Sequence, residues 1–204
     1  MSETRSGRPR GTSRRELELV ALRLFTTQGF EETTVEQIAA IAGVSRRTFF
    51  RYFDSKAAVL WHRFDTEVGA IRAQLDRAPA DLGLLAAIRR AVLAANRYQT
   101  ADVPELRMRM ILLSSVPDLI ASAAVHYHAW ERAISDFAAR RTGRPADSLY
   151  CLAVGRATLA VCRAAYDSWV QRADADLTEY LDTALRALET GFSDSVATAP
   201  PGRR

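Results

Sequence analysis

Cysteine is nearly absent from this chain: Cys151 and Cys162 are the only two in 204 residues. They stand eleven residues apart on what reads as one helix, about 16 Å along its axis, so they cannot bridge each other. There is no CxxC and no Cys/His cluster, and two reduced core thiols are expected rather than a redox sensor. Lysine is scarcer still, with Lys56 alone among 28 basic residues, a bias that points to a GC-rich genome rather than to a device. No apolar run approaches the roughly 20 residues that span a bilayer, and the arginine-rich amino terminus lacks the apolar core of a signal peptide. Cytoplasmic residence is therefore expected. Gly-x-Ser-x-Gly, HExxH and a phosphate-cradling loop are also missing, so neither catalysis nor a cofactor is expected. His126 and His128 lie two apart, about 200° around a helix, and cannot share a metal without a further ligand.

What is present is apolar and charged in ordinary proportion, 48% and 25%, enough for a sizeable core in one large domain or two small ones. The net charge of +4 is modest and implies a nucleic-acid partner only if the cations are segregated.

They are segregated. In residues 33 to 56, two short helices flank Gly43 and the cations crowd the second. Thr34 and Gln37 form a capping box for the first helix, with Val35, Ile38, Ala39 and Ala42 on its buried side. Ser45 caps the second, and Val44 and Phe49 can form a hydrophobic staple that fixes its entry angle. At about 100° per residue Phe49 and Phe53 share the inner face with Phe50 at its edge, while Arg47, Thr48, Arg51 and Tyr52 point outward. Ser45 and Arg46 sit in the exposed first turn, the end of a helix-turn-helix that enters the major groove. Arginine can bond a guanine edge through two donors, threonine can touch a thymine methyl, and tyrosine can reach a phosphate. The competing explanation is an amphipathic helix with a solvated basic face.

The amino-terminal arm, residues 1–12, carries Arg8 and Arg10 in Gly7-Arg8-Pro9-Arg10-Gly11, a disordered segment suited to a narrow minor groove or simply a solubilising tail. Between arm and turn, residues 16 to 43 hold Arg23 against five glutamates, so the positive charge is concentrated at two places. A helix over 13–28 opens on a Ser13-to-Glu16 capping box and closes at Gly29, and Asp54-Ser55-Lys56 opens a fourth helix with Lys56 facing phosphate at its start. Beyond Asp76 alanine and leucine dominate and no alternating β-branched run appears. The fold class is all-α, with further helices at about 81–99, 103–113, 117–141, 147–172 and 175–191 and a loose tail over 193–204. In the final helix Leu181, Leu185 and Leu188 belong to a broad apolar stripe, and the helix before it carries small residues. Together they suggest a four-helix dimer interface, with intramolecular core as the alternative.

Phe30-Glu31-Glu32-Thr33-Thr34-Val35, Ile38-Ala39, Ala42-Gly43-Val44-Ser45, Phe49, Tyr52-Phe53 and Ser55-Lys56 resemble the DNA-binding domain of the TetR family of transcriptional regulators. The resemblance is dense over residues 13–60 and rests on length and helicity past residue 75. It implies a two-domain, all-helical homodimer of about nine helices per chain, reading a palindromic operator with residues 13–60 and binding a small effector with residues 61–192, usually to relieve repression. Carried over by position, Thr34 caps a helix at a phosphate, Ser45, Arg46, Arg47 and Thr48 face bases, and Tyr52 and Lys56 hold the backbone. Many members have tyrosine at the position of Phe50, so a phosphate bond there is lost. The stretch from Arg47 to Phe53 also resembles a mycofactocin-associated subgroup.

In the second domain Leu106, Met108, Met110, Ile111, Tyr127, Trp130 and neighbours supply apolar bulk that suggests either a pocket or plain core. Arg156 and Arg163 are one heptad apart on an apolar helix, and Arg107 and Arg109 flank Met108. A buried arginine needs an anion, from acidic side chains across a dimer interface or from an effector. In the second case an amphiphile with an anionic head, such as a fatty acyl-CoA, fits Arg107, Met110, Tyr127, Trp130, Arg156 and Arg163. A different class of function, an architectural minor-groove protein without an effector, remains as the alternative.

Overall fold

A computed structural model of the chain describes residues 13–172 and 174–193. The arm with Arg8 and Arg10 and the tail after Ser193 lie outside the described residues. The chain divides into two compact units between Leu60 and Trp61. Among the described residues every regular element is helical.

The first unit comprises α1 (Arg14–Thr27), α2 (Val35–Ile41), α3 (Arg46–Tyr52) and the opening turn of α4 (Ala58–Asp76). Both expected capping boxes form. Glu16 N–H donates to Ser13 Oγ at 3.2 Å while Ser13 N–H donates to Glu16 Oε2 at 2.7 Å; Gln37 N–H and Thr34 Oγ1 are 3.2 Å apart, with Thr34 N–H returning to Gln37 Oε1 at 2.8 Å. Each box satisfies backbone donors that the first turn of a helix leaves unpaired. Leu17, Ala21, Phe25, Ile38 and Phe49 are buried, and α2 packs on both α1 and α3. α4 begins later than its sequence suggests. Ser55 Oγ accepts from Ala58 N–H at 3.1 Å across a turn at Lys56 and Ala57, and the helix starts at Ala58.

The second unit holds the rest of α4, then α5 (Leu84–Ala95), a 3-10 turn (Thr100–Asp102), α6 (Val103–Ser115), α7 (Pro117–Thr142), α8 (Leu149–Arg172) and α9 (Leu177–Glu189). Pro104 and Pro117 stand in the first turns of α6 and α7, where a missing N–H costs nothing, and Gly143 ends α7 at φ +68°. α7, α8 and α9 pack in sequence, and α5 lies against α9. α8 comes close to α7 at Gly155: a Cβ there would lie 2.7 Å from Ser135 Oγ and 2.8 Å from Glu131 O of α7. Ser135 Oγ uses that proximity to donate to Cys151 O at 3.0 Å.

Leu181 and Leu185 are buried in the core of their own chain, which corrects their assignment to a dimer interface, while Leu188 is half-buried beside them. Leu177, Leu181 and Leu185 of α9 join the core, where the helix packs on α5 and α8. No single helix among the described residues is long and apolar enough to cross a membrane; Thr100–Ser115 and Pro117–Thr142 pass that test only as a pair, and they meet at 100°.

Candidate functional site

α3 is seven residues long and stands on two aromatic supports. Phe49 and Phe53 are buried with ring centroids 5.6 Å apart, while Phe50 is 40% exposed at the edge. Ser45 is extended at φ −77°, ψ 156° and its Oγ accepts from Thr48 N–H at 3.1 Å, so the helix begins at Arg46 as its sequence implies. Gly43 at φ +68° makes the turn, a left-handed conformation that a side chain resists. Arg46, Arg47 and Arg51 are exposed and Thr48 and Tyr52 half-exposed, so the structure brings these side chains onto one outward surface with Ser45 at its amino-terminal end. Arg46 Nε is paired with Glu36 Oε1 of α2 at 3.1 Å and its guanidinium lies 5.4 Å from the Phe50 ring. Arg51 rests against Tyr52. Thr34 stands at the start of α2, and its side chain is engaged by the capping box.

Lys56 is placed differently from the sequence expectation of a helix start facing phosphate. Its Nζ donates to Phe30 O at 2.6 Å and to Glu31 O at 3.4 Å, and lies 4.2 Å from the Phe30 ring centroid. Because α4 starts two residues later, Lys56 falls in the preceding turn and closes the α1–α2 loop.

The second unit contains a cavity of about 720 Å³ between α4, α6, α7 and α8. Trp61, Phe64 and Tyr127 give it an aromatic wall, and Met110, Leu113, Ile120 and Val170 are among its aliphatic residues. Trp61 is fixed from behind: its indole N–H donates to Ser122 Oγ at 3.0 Å and its ring stacks on His126 at 4.4 Å, while His126 Nδ1 meets Asp65 Oδ1 at 2.8 Å. Of the six residues expected at an effector, Met110, Tyr127 and Arg163 line this cavity. Trp130 is core, tilted against Phe64 with its indole N–H unsatisfied. Arg107 donates to Val170 O at 2.7 Å and lies 5.7 Å from the Trp169 ring, tying α6 to the last turn of α8, whose carbonyls need donors. Arg156 is 68% exposed and 3.9 Å from Glu131, so the supposed buried arginine pair on α8 does not exist. Among the described residues the buried arginine is Arg109, paired with Glu105 at 3.1 Å.

The polar side of the cavity was not singled out in the sequence. Glu67, Tyr166, Asp167 and Gln171 line it. Glu67 Oε1 accepts from Tyr98 Oη and lies 3.5 Å from Arg63 Nε; Tyr98 Oη is also 3.2 Å from Asn96 Oδ1, which accepts from Tyr166 Oη. Burial is the dominant influence on Glu67 and pushes its carboxyl up to about 7 against the hydrogen bond from Tyr98 and the charges of Arg63 and Arg109. Burial likewise raises Tyr98 and Tyr166 well above the usual phenol range. Locally the sequence offers only the i, i+4 spacing of Arg63 and Glu67 on α4; Tyr98, Arg109 and Tyr166, which complete the cluster, come from three other segments. Cys162 is buried and its thiol is pushed up to about 12, and Cys151 is buried too, as core cysteines would be.

A basic helix presented after a glycine turn, followed by an all-helical unit with a cavity between its helices, defines a helix-turn-helix DNA-binding regulator. Residues 19–61 match the model for bacterial regulatory proteins of the tetR family, and residues 82–193 match that for the MftR C-terminal domain. The chain belongs to the TetR family of transcriptional regulators, with a second unit of the MftR type. It is 34% identical over 190 residues to the mycofactocin biosynthesis transcriptional regulator MftR of Mycobacterium tuberculosis, covering 93% of this chain and 96% of that one. The fold matches the fatty acid degradation regulator FadR of Bacillus halodurans with a TM-score of 0.63 at 19% identity, over 90% of this chain and 98% of that one. It also matches Thermus thermophilus FadR, a repressor solved in complex with lauroyl-CoA, with a TM-score of 0.56 at 24% identity over 93% and 100% of the two chains.

Proposed function

We propose that this regulator is a cytoplasmic, homodimeric repressor that reads a palindromic operator through α3 and is released when an apolar or amphiphilic effector enters the cavity of the second unit. The observation that carries the DNA reading is the presentation of Arg46, Arg47 and Thr48 on the open side of a helix whose other side is locked by Phe49 and Phe53. Arg47 and Thr48 contact base edges, Arg46 leaves Glu36 to join them, and Arg51 and Tyr52 hold the phosphate backbone. With Leu181 and Leu185 internal, the dimer surface is the outer side of α8, where Leu149 is an exposed apolar side chain and the exposed Ala153, Ala160 and Ala164 are small enough to let two helices approach.

A fatty acyl-CoA is the effector class this reading favours. In support, the cavity has the volume of a small-molecule site, its lining is mostly apolar, and Arg163 is there to meet an anionic head. Genomic footprinting of the purified protein, repeated with lauroyl-CoA, tests both halves. Protected palindromes that clear on adding the thioester are expected. Random occupancy, or retained occupancy by a folded variant with Arg46 and Arg47 reversed to glutamate, would remove the DNA reading; protection indifferent to every acyl-CoA tried would remove the effector class.

A further inference from the structure

We infer that the effector presents a hydroxyl group, alcoholic or phenolic, to Oε2 of Glu67. The inference rests on the reading of the cavity as an effector site and specifies the ligand's chemistry beyond an apolar chain. A carboxyl on the wall of an aromatic cavity is costly unless both its oxygens are satisfied. Glu67 is only 14% exposed, and its two polar contacts, with Tyr98 and Arg63, both go to Oε1. Oε2 has no hydrogen bond among the described residues. Its position is fixed. Tyr98 is held by Asn96, Asn96 Nδ2 donates to Val92 O at 2.9 Å, and the Arg63 guanidinium lies 4.6 Å from the Tyr98 ring centroid. With Oε1 held, Oε2 is the oxygen left to meet a guest.

The surroundings select the kind of guest. An anionic group is repelled by the ionised carboxylate and finds its counter-charge at Arg163 instead. An ammonium would compete with Arg63, which already neutralises Glu67, and with Arg163, whose guanidinium lies 4.8 Å from the Tyr127 ring centroid, on the aromatic wall. A hydroxyl needs no net charge. It donates to the carboxylate and accepts from the carboxylic acid, which suits a group whose burial places it near its titration midpoint at neutral pH. Sites that hydrogen-bond a ligand hydroxyl reject the analogue lacking it far more sharply than apolar pockets discriminate by size.

Two matched pairs of probes test this by calorimetric titration of the full chain: lauroyl-CoA against its 3-hydroxy and 12-hydroxy analogues, and 4-heptylphenol against its methyl ether. In at least one pair the hydroxylated member binds about tenfold or more tightly than its match, corresponding to one well-formed hydrogen bond. Glu67→Gln, which keeps a polar oxygen for Tyr98, retains part of the preference, and Glu67→Leu abolishes it. If no thioester binds but the phenol pair shows the Glu67-dependent preference, the acyl-CoA reading falls and this one stands. Equal binding within both pairs, absence of binding by all probes, or a preference that survives Glu67→Leu overturns it.

Discussion

Among single residues, Arg47 and Lys56 show how the same charge serves different ends. Arg47 is exposed on α3 with its donors available to a base edge, so Arg47→Ala relaxes the preference at one base pair in each half-site by about 1–3 kcal/mol. Competition between operator variants measures it. Lys56 donates to Phe30 O and Glu31 O, so Lys56→Met, which keeps the stem and removes the ammonium, lowers the melting temperature of the protein through the loss of about 1–2 kcal/mol. Should Lys56→Met melt as the parent does yet bind every DNA more weakly, the lysine belongs to phosphate after all. Arg46 lies between these cases. Its pair with Glu36 is exposed on both sides and worth at most about 1 kcal/mol, a barrier that DNA overcomes easily. Glu36→Gln therefore raises affinity for specific and random DNA together, by about fivefold at low salt, and the gain fades as salt screens it.

The elements were legible where local chemistry decides them. Ser13 with Glu16 and Thr34 with Gln37 mark helix starts because a side chain three residues away meets the same unpaired donors, whatever the rest of the chain does. Gly43 and Gly143 mark turns because the left-handed backbone is cheap only for glycine. Faces were less legible. The α9 stripe of Leu181 and Leu185 has the same periodicity whether it packs on α8 of its own chain or of another, and only the fold shows that α5 and α8 consume it. Arg156 and Arg163 share a heptad spacing, yet Arg156 is exposed beside Glu131 while Arg163 reaches the cavity. The close α7–α8 contact at Gly155 was invisible in the sequence, since Gly155 reads as one small residue among many alanines. Gly155→Ala puts a methyl within 2.7–2.8 Å of Ser135 Oγ and Glu131 O and destabilises the second unit by about 1–3 kcal/mol in denaturant unfolding. Adding Ser135→Ala recovers only part of that loss, because the contact with the Glu131 carbonyl is with backbone; full recovery would mean that the backbone had yielded.

For the whole molecule, Glu67 couples global stability to pH. Arg63 faces it from its own helix, Arg109 from α6, Tyr98 from the segment after α5 and Tyr166 from α8. Burial keeps both phenols neutral through the physiological range, so Glu67 is the carboxyl of this cluster that titrates there. Its carboxyl is raised from 4.5 in the unfolded chain to about 7 in the native one. Between those values the native state holds a proton that the unfolded state has released, and stability falls as pH rises through the window, by on the order of 3 kcal/mol at most. Asp182 works the other way: burial would raise it, but Arg186 and Arg89 together hold it below its usual range, so its contribution is lost only as pH drops below about 4. The difference between parent and Glu67→Gln unfolding free energies isolates the share of this carboxyl, because every other titrating group is common to both. That difference is expected to grow steadily from pH 5 to 7.5, with the variant the more stable at the upper end. A difference that stays flat across this range would mean that water reaches the carboxyl freely, and Glu67 would then have no unmet demand to place on a ligand.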